Sequence, residues 1–359
     1  MVTMTDIALK AGVSRTAVSH VLGGSHLESV RISEATRQRI LEAADSLGYR
    51  PNQLARAVAL GKTRMIGYLV DEPRYEPYWN IMVGALEAAQ ELGFTLKLLS
   101  VSDHTLAERV RQCTELRLGG LVARVSGDKS LLFEEANNAR IPVVTVDEGI
   151  PQPFGTRITS DDAPGMGRVL EHLTKLGHRK IAFIGSGFPK FNPAAGGPGD
   201  IGTAREALFR QEMAARRLEL PAGYVTHDTV MVFGHAAELT IDDSSAQAAT
   251  NALLTHPEGR PSAICCWRDE TALFAIRACQ RQGWRVPQDI SVVGFADISA
   301  ARLCEPPLST VKTPLESIGR MAIEQLAQRM DEAFDPAPAT HLVPTTFIAR
   351  ASSGPAPPS

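Results

Sequence analysis

Apolar positions recur every three to four residues over two short stretches near the start of the chain, and Ala11-Gly12-Val13 separates them. That spacing predicts two helices joined by a tight turn. Thr3 with Asp6 three places on has the form of a capping box, so the first helix should begin near Met4. Gly12 permits the left-handed backbone that the turn requires. Ser14 is placed to cap the second helix with its hydroxyl. Ile7, Ala8, Val13, Val18 and Val21 can close a small apolar core. Arg15, Thr16, Ser19 and His20 are then left on or near the outside of the second helix. A third helical pattern opens at Ser33, carries Ile40, Leu41, Ala44 and Leu47 at core spacing, and stops at Gly48. Pro51 can open a short fourth helix ending at Gly61.

From Met65 the period changes. MIGYLV, TLKLLS, GGLVAR, IPVVTVD, KIAFIG, SAICCW and ISVVGF are short apolar runs, with amphipathic helical patterns between several of them. The alternation predicts parallel sheets covered by helices on both faces. Residues 65–350 are many for one such sheet. The closing ASSGPAPPS, 351–359, is rich in proline and reads as a disordered tail. A stretch rich in glycine and proline, 186–203, reads either as a flexible lid or as a disordered surface insertion.

Composition narrows the class. A chain of 359 residues with 44% hydrophobic and 21% charged content suits a globular protein of two or three domains. No apolar run is long enough for a membrane span, and the amino terminus lacks a basic stretch followed by an apolar signal core, so a cytoplasmic location is expected. The net charge of −3 is unevenly spread: residues 1–64 carry +4 and the remainder −7. A basic head on an acidic body suits a phosphate-binding module on a body that does not bind nucleic acid. The charge is modest, and ordinary surface variation is the alternative reading. Cys113, Cys265, Cys266, Cys279 and Cys304 form no metal-ligand spacing, and Cys265-Cys266 sit in an apolar run as inert core residues. No metal and no cofactor is implied.

Several ordered motifs together resemble the lactose-repressor (LacI/GalR) family of bacterial transcription factors. They are TDIALKAGVSRTAVSHVL, SEATRQRILEAADSLGYRPN, LGHRKIAFIG, RPSAI, ALFAIRACQRQGWRVPQDISVVGFADIS and PPLSTVKTPLESIGRMAIEQL, and the likeness runs from about Val2 to Arg350. The resemblance implies an all-α helix-turn-helix headpiece, 1–50, and a hinge helix, 51–64. It implies an α/β effector-binding and dimerisation body, 65–350, of two doubly wound lobes like the periplasmic binding proteins. Lobe one would comprise about 65–160 and 314–340, and lobe two about 161–313 and 341–350.

The resemblance also implies a homodimer on a pseudo-palindromic operator in double-stranded DNA. By motif position Arg15, Thr16 and His20 would read bases, Arg15 by a bidentate contact with guanine and Thr16 at a thymine methyl. Ser14 and Ser19 would hold phosphates, with Arg31 beside them in a loop longer than is usual. In the fourth helix Asn52, Ala55 and Arg56 would meet the minor groove or backbone, and Val58 would be the apolar wedge. A solvated helix face, or a plain linker, is the alternative for each. No leucine heptad follows Arg350, which favours a dimer over a tetramer.

A small sugar-like effector would sit between the lobes. Tyr78 and Trp79 match an aromatic pair that lines the pocket, with core packing as the alternative. Arg205 matches an arginine that holds ligand hydroxyls or carbonyls, Asp147 a position near the cleft, and Asp269 a pocket residue. Arg268 stands where the family often has asparagine, and Ala296 where it often has aspartate. A guanidinium gained and a carboxylate lost point to an effector with an anionic group, a sugar acid or sugar phosphate, assisted by Arg124. The alternative is that Arg268 pairs with Asp147, Glu148 or Asp269 and the ligand is a neutral saccharide. A transporter's solute-binding protein shares such a body, but export signals are missing. An enzyme is disfavoured because no nucleophile elbow, phosphate loop, dinucleotide fingerprint or metal spacing is found.

Overall fold

The headpiece is built from local signals, as its capping residues require. In this computed structural model the described residues are 2–23, 32–49, 63–102, 104–125, 129–146, 155–187, 201–229, 232–233, 240–241, 243–331, 335 and 337–358. The chain divides into a headpiece within the first 64 residues and a body that begins at Met65. Helix α1 (Met4–Ala11) opens on a capping box: Thr3 Oγ1 accepts from the Asp6 amide at 3.3 Å and Asp6 Oδ2 accepts from the Thr3 amide at 2.8 Å. Gly12 ends it in the left-handed region at φ 64°. Helix α2 (Arg15–Gly23) is capped by the Ser14 hydroxyl, which accepts from the Ala17 amide at 3.1 Å. Helix α3 (Glu34–Ser46) is capped in the same way by Ser33, and Gly48 follows its end at φ 64°.

Ile7, Val18 and Ile40 meet with no exposure at the centre of the three helices, with Ala8, Ala43 and Ala44 around them. Leu41 departs from expectation and is 43% exposed. It lies one residue past Ile40, turned by about 100° around the helix axis, and the small Ala43 and Ala44 occupy the inner stripe instead. The expected fourth helix, with Asn52, Ala55, Arg56 and Val58, lies outside the described residues, as does Arg31.

Each lobe of the body is a six-stranded sheet. Lobe one holds β1 (Met65–Val70), β2 (Thr95–Ser100), β3 (Gly120–Arg124), β4 (Val143–Val146), β5 (Thr156–Asp161) and β13 (Ala339–Pro344), in the order β13-β5-β4-β3-β1-β2 and all parallel. Helices α4 (Glu76–Glu91), α5 (Leu106–Glu115), α6 (Ser130–Asn138) and α12 (Leu315–Asp331) belong to this lobe. Lobe two holds β6 (Ile181–Ser186), β7 (Val225–Asp228), β10 (Ala263–Cys266), β11 (Ser291–Ala296), β12 (Ser309–Lys312) and β14 (Thr346–Ile348), in the order β14-β12-β11-β10-β6-β7, with only β14 antiparallel to its neighbour. Its helices are α7 (Ala163–Lys175), α8 (Ile201–Ala215), α9 (Ser244–Leu254), α10 (Asp269–Arg281) and the short α11 (Ser299–Leu303). A small hairpin, β8 (Val232–Phe233) with β9 (Thr240–Ile241), stands apart from both sheets.

Parallel strands covered on both faces need apolar residues at every position, and β1, β3, β4 and β6 are buried almost throughout. The chain passes between lobes three times, after β5, after β12 and between β13 and β14. The last passage falls at Thr345, not near residue 340 as expected. β13 stays with lobe one because all six of its residues pair with β5, from Ala339 opposite Thr156 to Pro344 opposite Asp161. The C-terminal segment is not the expected disordered tail. Ser352 and Gly354 are buried, and the segment is tied to lobe two by Ser352 Oγ to the Val292 carbonyl at 2.6 Å and the Gly354 amide to Ser291 Oγ at 3.1 Å.

Candidate nucleic-acid interface and ligand cleft

The Ser14 cap sets the polar face of the headpiece. It starts α2 at Arg15, so Ser14, Arg15 and Thr16 stand exposed at the helix amino terminus, while Val18 points into the core. Ser19 and His20, one turn further on, are half-buried. A short basic and hydroxylated helix start on a rigid three-helix core can donate to phosphate oxygens and to base edges.

In the body, the segments at or after the C-terminal ends of β1, β3, β5, β6, β10 and β11 supply the described candidate ligand residues. Such crevices outside the carboxyl ends of parallel strands are where open α/β sheets bind ligands. Arg124 ends β3, is buried, lies with its guanidinium 3.7 Å from the Tyr78 ring centroid and donates to the Tyr78 hydroxyl. Tyr78 in turn meets Tyr75 edge to face, with centroids 4.7 Å apart. Trp79 parts from Tyr78: it is 50% exposed and has no share in that cluster.

Arg205, on α8, is buried in a second cluster. Its Nε donates to Asp162 at 2.7 Å, one Nη donates to the Trp267 carbonyl at 2.8 Å, and the guanidinium lies 3.7 Å from the Phe295 ring. Asp162 has its other carboxylate oxygen buried without a hydrogen bond among the described residues. Sequence reasoning missed Asp162. The signal was the acidic pair Asp161-Asp162 just before Ala163-Pro164 open a helix.

Arg268 lies 4.4 Å from the Trp267 ring and bonds to Tyr75 of lobe one. Burial alone would lower its pKa, but the Glu270 and Asp228 carboxylates and the hydrogen bond to Tyr75 outweigh burial and hold it above the usual arginine value. Tyr75 is pushed well above the usual tyrosine value, first by burial and then by the Glu270 carboxylate. Among the described residues Arg268 is partnered by Glu270 and Tyr75, while Asp269 is bound to Thr310 and the Ile298 amide; Asp147 and Glu148 lie outside the described residues.

Asp269 is a correction to the expected pocket set. It has no exposure, and its two oxygens accept from Thr310 Oγ1 at 2.5 Å and from the Ile298 amide at 2.9 Å. As the first residue of α10 it turns inward beneath Gly294, and burial raises its pKa to about 7. Ala296 ends β11 at φ 130°, followed by Asp297 at φ 61°, an unfavourable pair held by Arg350 and Arg302 on the Asp297 carboxylate. The lobes also touch directly: Glu76 accepts from both the amide and the hydroxyl of Ser299, each at 2.7 Å.

Three family models cover the chain. "Bacterial regulatory proteins, lacI family" matches residues 3–52, "Periplasmic binding proteins and sugar binding domain of LacI family" matches 63–187, and "Periplasmic binding protein-like domain" matches 170–353. The HTH-type transcriptional repressor PurR of Photobacterium profundum is 31% identical over 337 residues, 92% of this chain and 93% of the relative. The chain belongs to the LacI family.

This LacI-family regulator is also 27% identical to the ribose operon repressor of Haemophilus influenzae, over 92% of each chain. Among solved structures, the transcriptional regulator CelR–cellobiose complex is 25% identical with a TM-score of 0.66, covering 98% of this chain and 100% of that one. The Lac repressor dimer bound to operator and the anti-inducer ONPF has the same fold, with a TM-score of 0.74 at 23% identity over 98% and 99% of the two chains. The LacI-family regulator is therefore a transcriptional repressor with a small-molecule effector, and not an enzyme. No helix of the described residues is long and apolar enough to cross a membrane.

Proposed function

We propose that this repressor acts in the cytoplasm as a homodimer on a pseudo-palindromic operator, and that its effector is a neutral, polyhydroxylated molecule of the carbohydrate class. On the operator side, Arg15 and Thr16 read bases, His20 adds a third contact, and Ser14 and Ser19 hold phosphates. Asn52, Ala55, Arg56 and Val58 serve the minor groove. The exposed placement of Arg15 and Thr16 beyond the Ser14 cap supports this reading. Arg15→Ala should weaken binding to the cognate operator by about 1–3 kcal/mol and relax preference at one base position. Titration of labelled operators that differ at single positions checks it; uniform weakening across all sequences would reduce Arg15 to a phosphate contact.

On the effector side, one observation carries the reading: the cleft arginines are already engaged by protein groups. Arg205 is paired with Asp162, Arg124 with Tyr78, and Arg268 with Tyr75 beside Glu270. An anionic effector would have to displace these partners and face the carboxylates of Asp162 and Glu270. The anionic effector expected from Arg268 and Ala296 gives way on that ground. Hydroxyl groups, which both donate and accept, fit Asp162, Arg205, Arg124 and Tyr78 without breaking a pair. The names of the relatives agree, since two of them carry ribose and cellobiose. Calorimetry of the full chain against neutral saccharides, sugar acids and sugar phosphates tests the proposal. Binding confined to the acids or phosphates overturns it.

A further inference from the structure

A cavity of about 720 Å³ opens at the ends of β1 and β2, and among the described residues none of the effector residues expected from the sequence lines it. Its walls include Asp71, Tyr75, Ser102, Thr105 and Arg109 from lobe one and Glu270 from lobe two. That volume lies within the roughly 300–1,000 Å³ typical of small-molecule sites.

Its place in the sheet gives it meaning. Lobe one runs β4-β3-β1-β2, so the strand ends form a row. Arg124 ends β3, Asp71 follows β1, and Ser102 lies just beyond β2. Neighbouring strands lie about 4.8 Å apart, so the row from Arg124 to Ser102 is about 10 Å long. That is longer than one sugar ring and suits two linked rings. Tyr75 joins the two ends, because it lines the cavity and also meets Tyr78 edge to face.

The lining chemistry matches hydroxyl groups. Ser102 and Thr105 are hydroxyls, the carboxylates of Asp71, Glu72, Glu76 and Glu270 accept, and Arg74 and Arg109 donate, so acceptors for hydroxyl donors outnumber cations and an anion is disfavoured. Glu270 keeps one carboxylate oxygen buried with no hydrogen bond among the described residues. A ligand hydroxyl is a donor that would satisfy it.

We infer that this cavity is a second sugar subsite, so the effector is an oligosaccharide with one ring at Tyr78–Arg124 and the next between Tyr75, Thr105 and Glu270. The inference rests on the carbohydrate reading proposed above and goes beyond it by setting the length of the ligand.

The test is calorimetry on the full chain with glucose, xylose and galactose and with the dimers and trimers of each. At least one dimer or trimer should bind about ten-fold or more tightly than its own monosaccharide. Thr105→Trp, which fills the cavity, should erase that advantage while leaving the monosaccharide affinity in place. Arg109→Met, which removes a donor without adding bulk, should reduce the advantage about five-fold and serves if the tryptophan variant does not fold. Monosaccharides binding as tightly as their oligomers, or variants keeping the full advantage, would overturn the second subsite alone. Binding of no saccharide of any length would overturn the carbohydrate reading and the subsite with it.

Discussion

Asp269 and Arg268 are neighbours in sequence and do opposite work. Arg268 reaches across to Tyr75, while Asp269 turns inward to Thr310 and the Ile298 amide. Because burial raises the Asp269 pKa to about 7, its protonated form is favoured in the folded state. The stability linked to this group is therefore greatest below the ordinary aspartate pKa and falls as pH rises toward about 7. Asp269→Asn keeps an acceptor for Ile298 and a polar partner for Thr310 but never ionises. The variant should match the parent near pH 4 and melt several degrees higher at pH 8; equal melting temperatures at both values would contradict the ionisation argument. Sequence reading placed Asp269 in the pocket because a strand-to-helix junction does not show which of two adjacent side chains turns inward. Arg124 was legible as a charge closing an apolar run, and Arg205 through the family resemblance. Their partners Tyr78 and Asp162 are 46 and 43 residues away, and only the fold brings them together.

Local elements follow from local chemistry, and here the sequence was most legible. The Thr3–Asp6 box, the Ser14 and Ser33 caps and the left-handed Gly12 and Gly48 all act within a few residues of themselves. Elements set by distant pairing were less so. β13 is a half-exposed edge strand whose lobe is decided by β5, nearly two hundred residues earlier. The pairing of α4 with α12 is another case. Gly84 of α4 faces the Glu316 carbonyl and Gly319 of α12 faces the Ile81 carbonyl, so a methyl group on either would overlap the opposing backbone. These two glycines let the helices meet backbone to backbone over the sheet of lobe one, beside the fully buried Ile318 and Ile323. Gly319→Ala gains some helix propensity but forces the helices apart, and should cost about 1–3 kcal/mol of stability. Denaturant unfolding of the body checks the sign: a stabilised variant would mean that the helices separate without loss.

At the scale of the whole molecule, the C-terminal segment completes lobe two. Composition marked it as a tail because proline, glycine and serine leave few apolar groups to bury, yet it docks through hydrogen bonds. His178 has no exposure, and its ring lies 2.9 Å from both Ser262 Oγ and the Gly354 carbonyl, while His172 reaches Ser353 Oγ at 2.9 Å. The Ala356 amide donates to Leu176 at 2.8 Å, closing the segment over the end of α7. Removing residues 351–359 would leave the Val292 amide and carbonyl, Ser291 and His178 without these partners. At about 0.5–1.5 kcal/mol for each lost bond, several such losses make lobe two markedly less stable. The pH dependence separates this docking from mere surface cover. Burial lowers the His178 pKa, as it does that of His172, so their neutral forms are favoured in the folded state. The stability they contribute is full above the ordinary histidine value of about 6.5 and is lost as pH falls below it toward the lowered values. Truncation after Arg350 should therefore lower the melting temperature at pH 8 and flatten its decline between pH 7 and pH 5.5, because the exposed histidines titrate nearly as they do in the unfolded chain. A truncated protein that keeps the full acid decline would place the sensitive groups elsewhere.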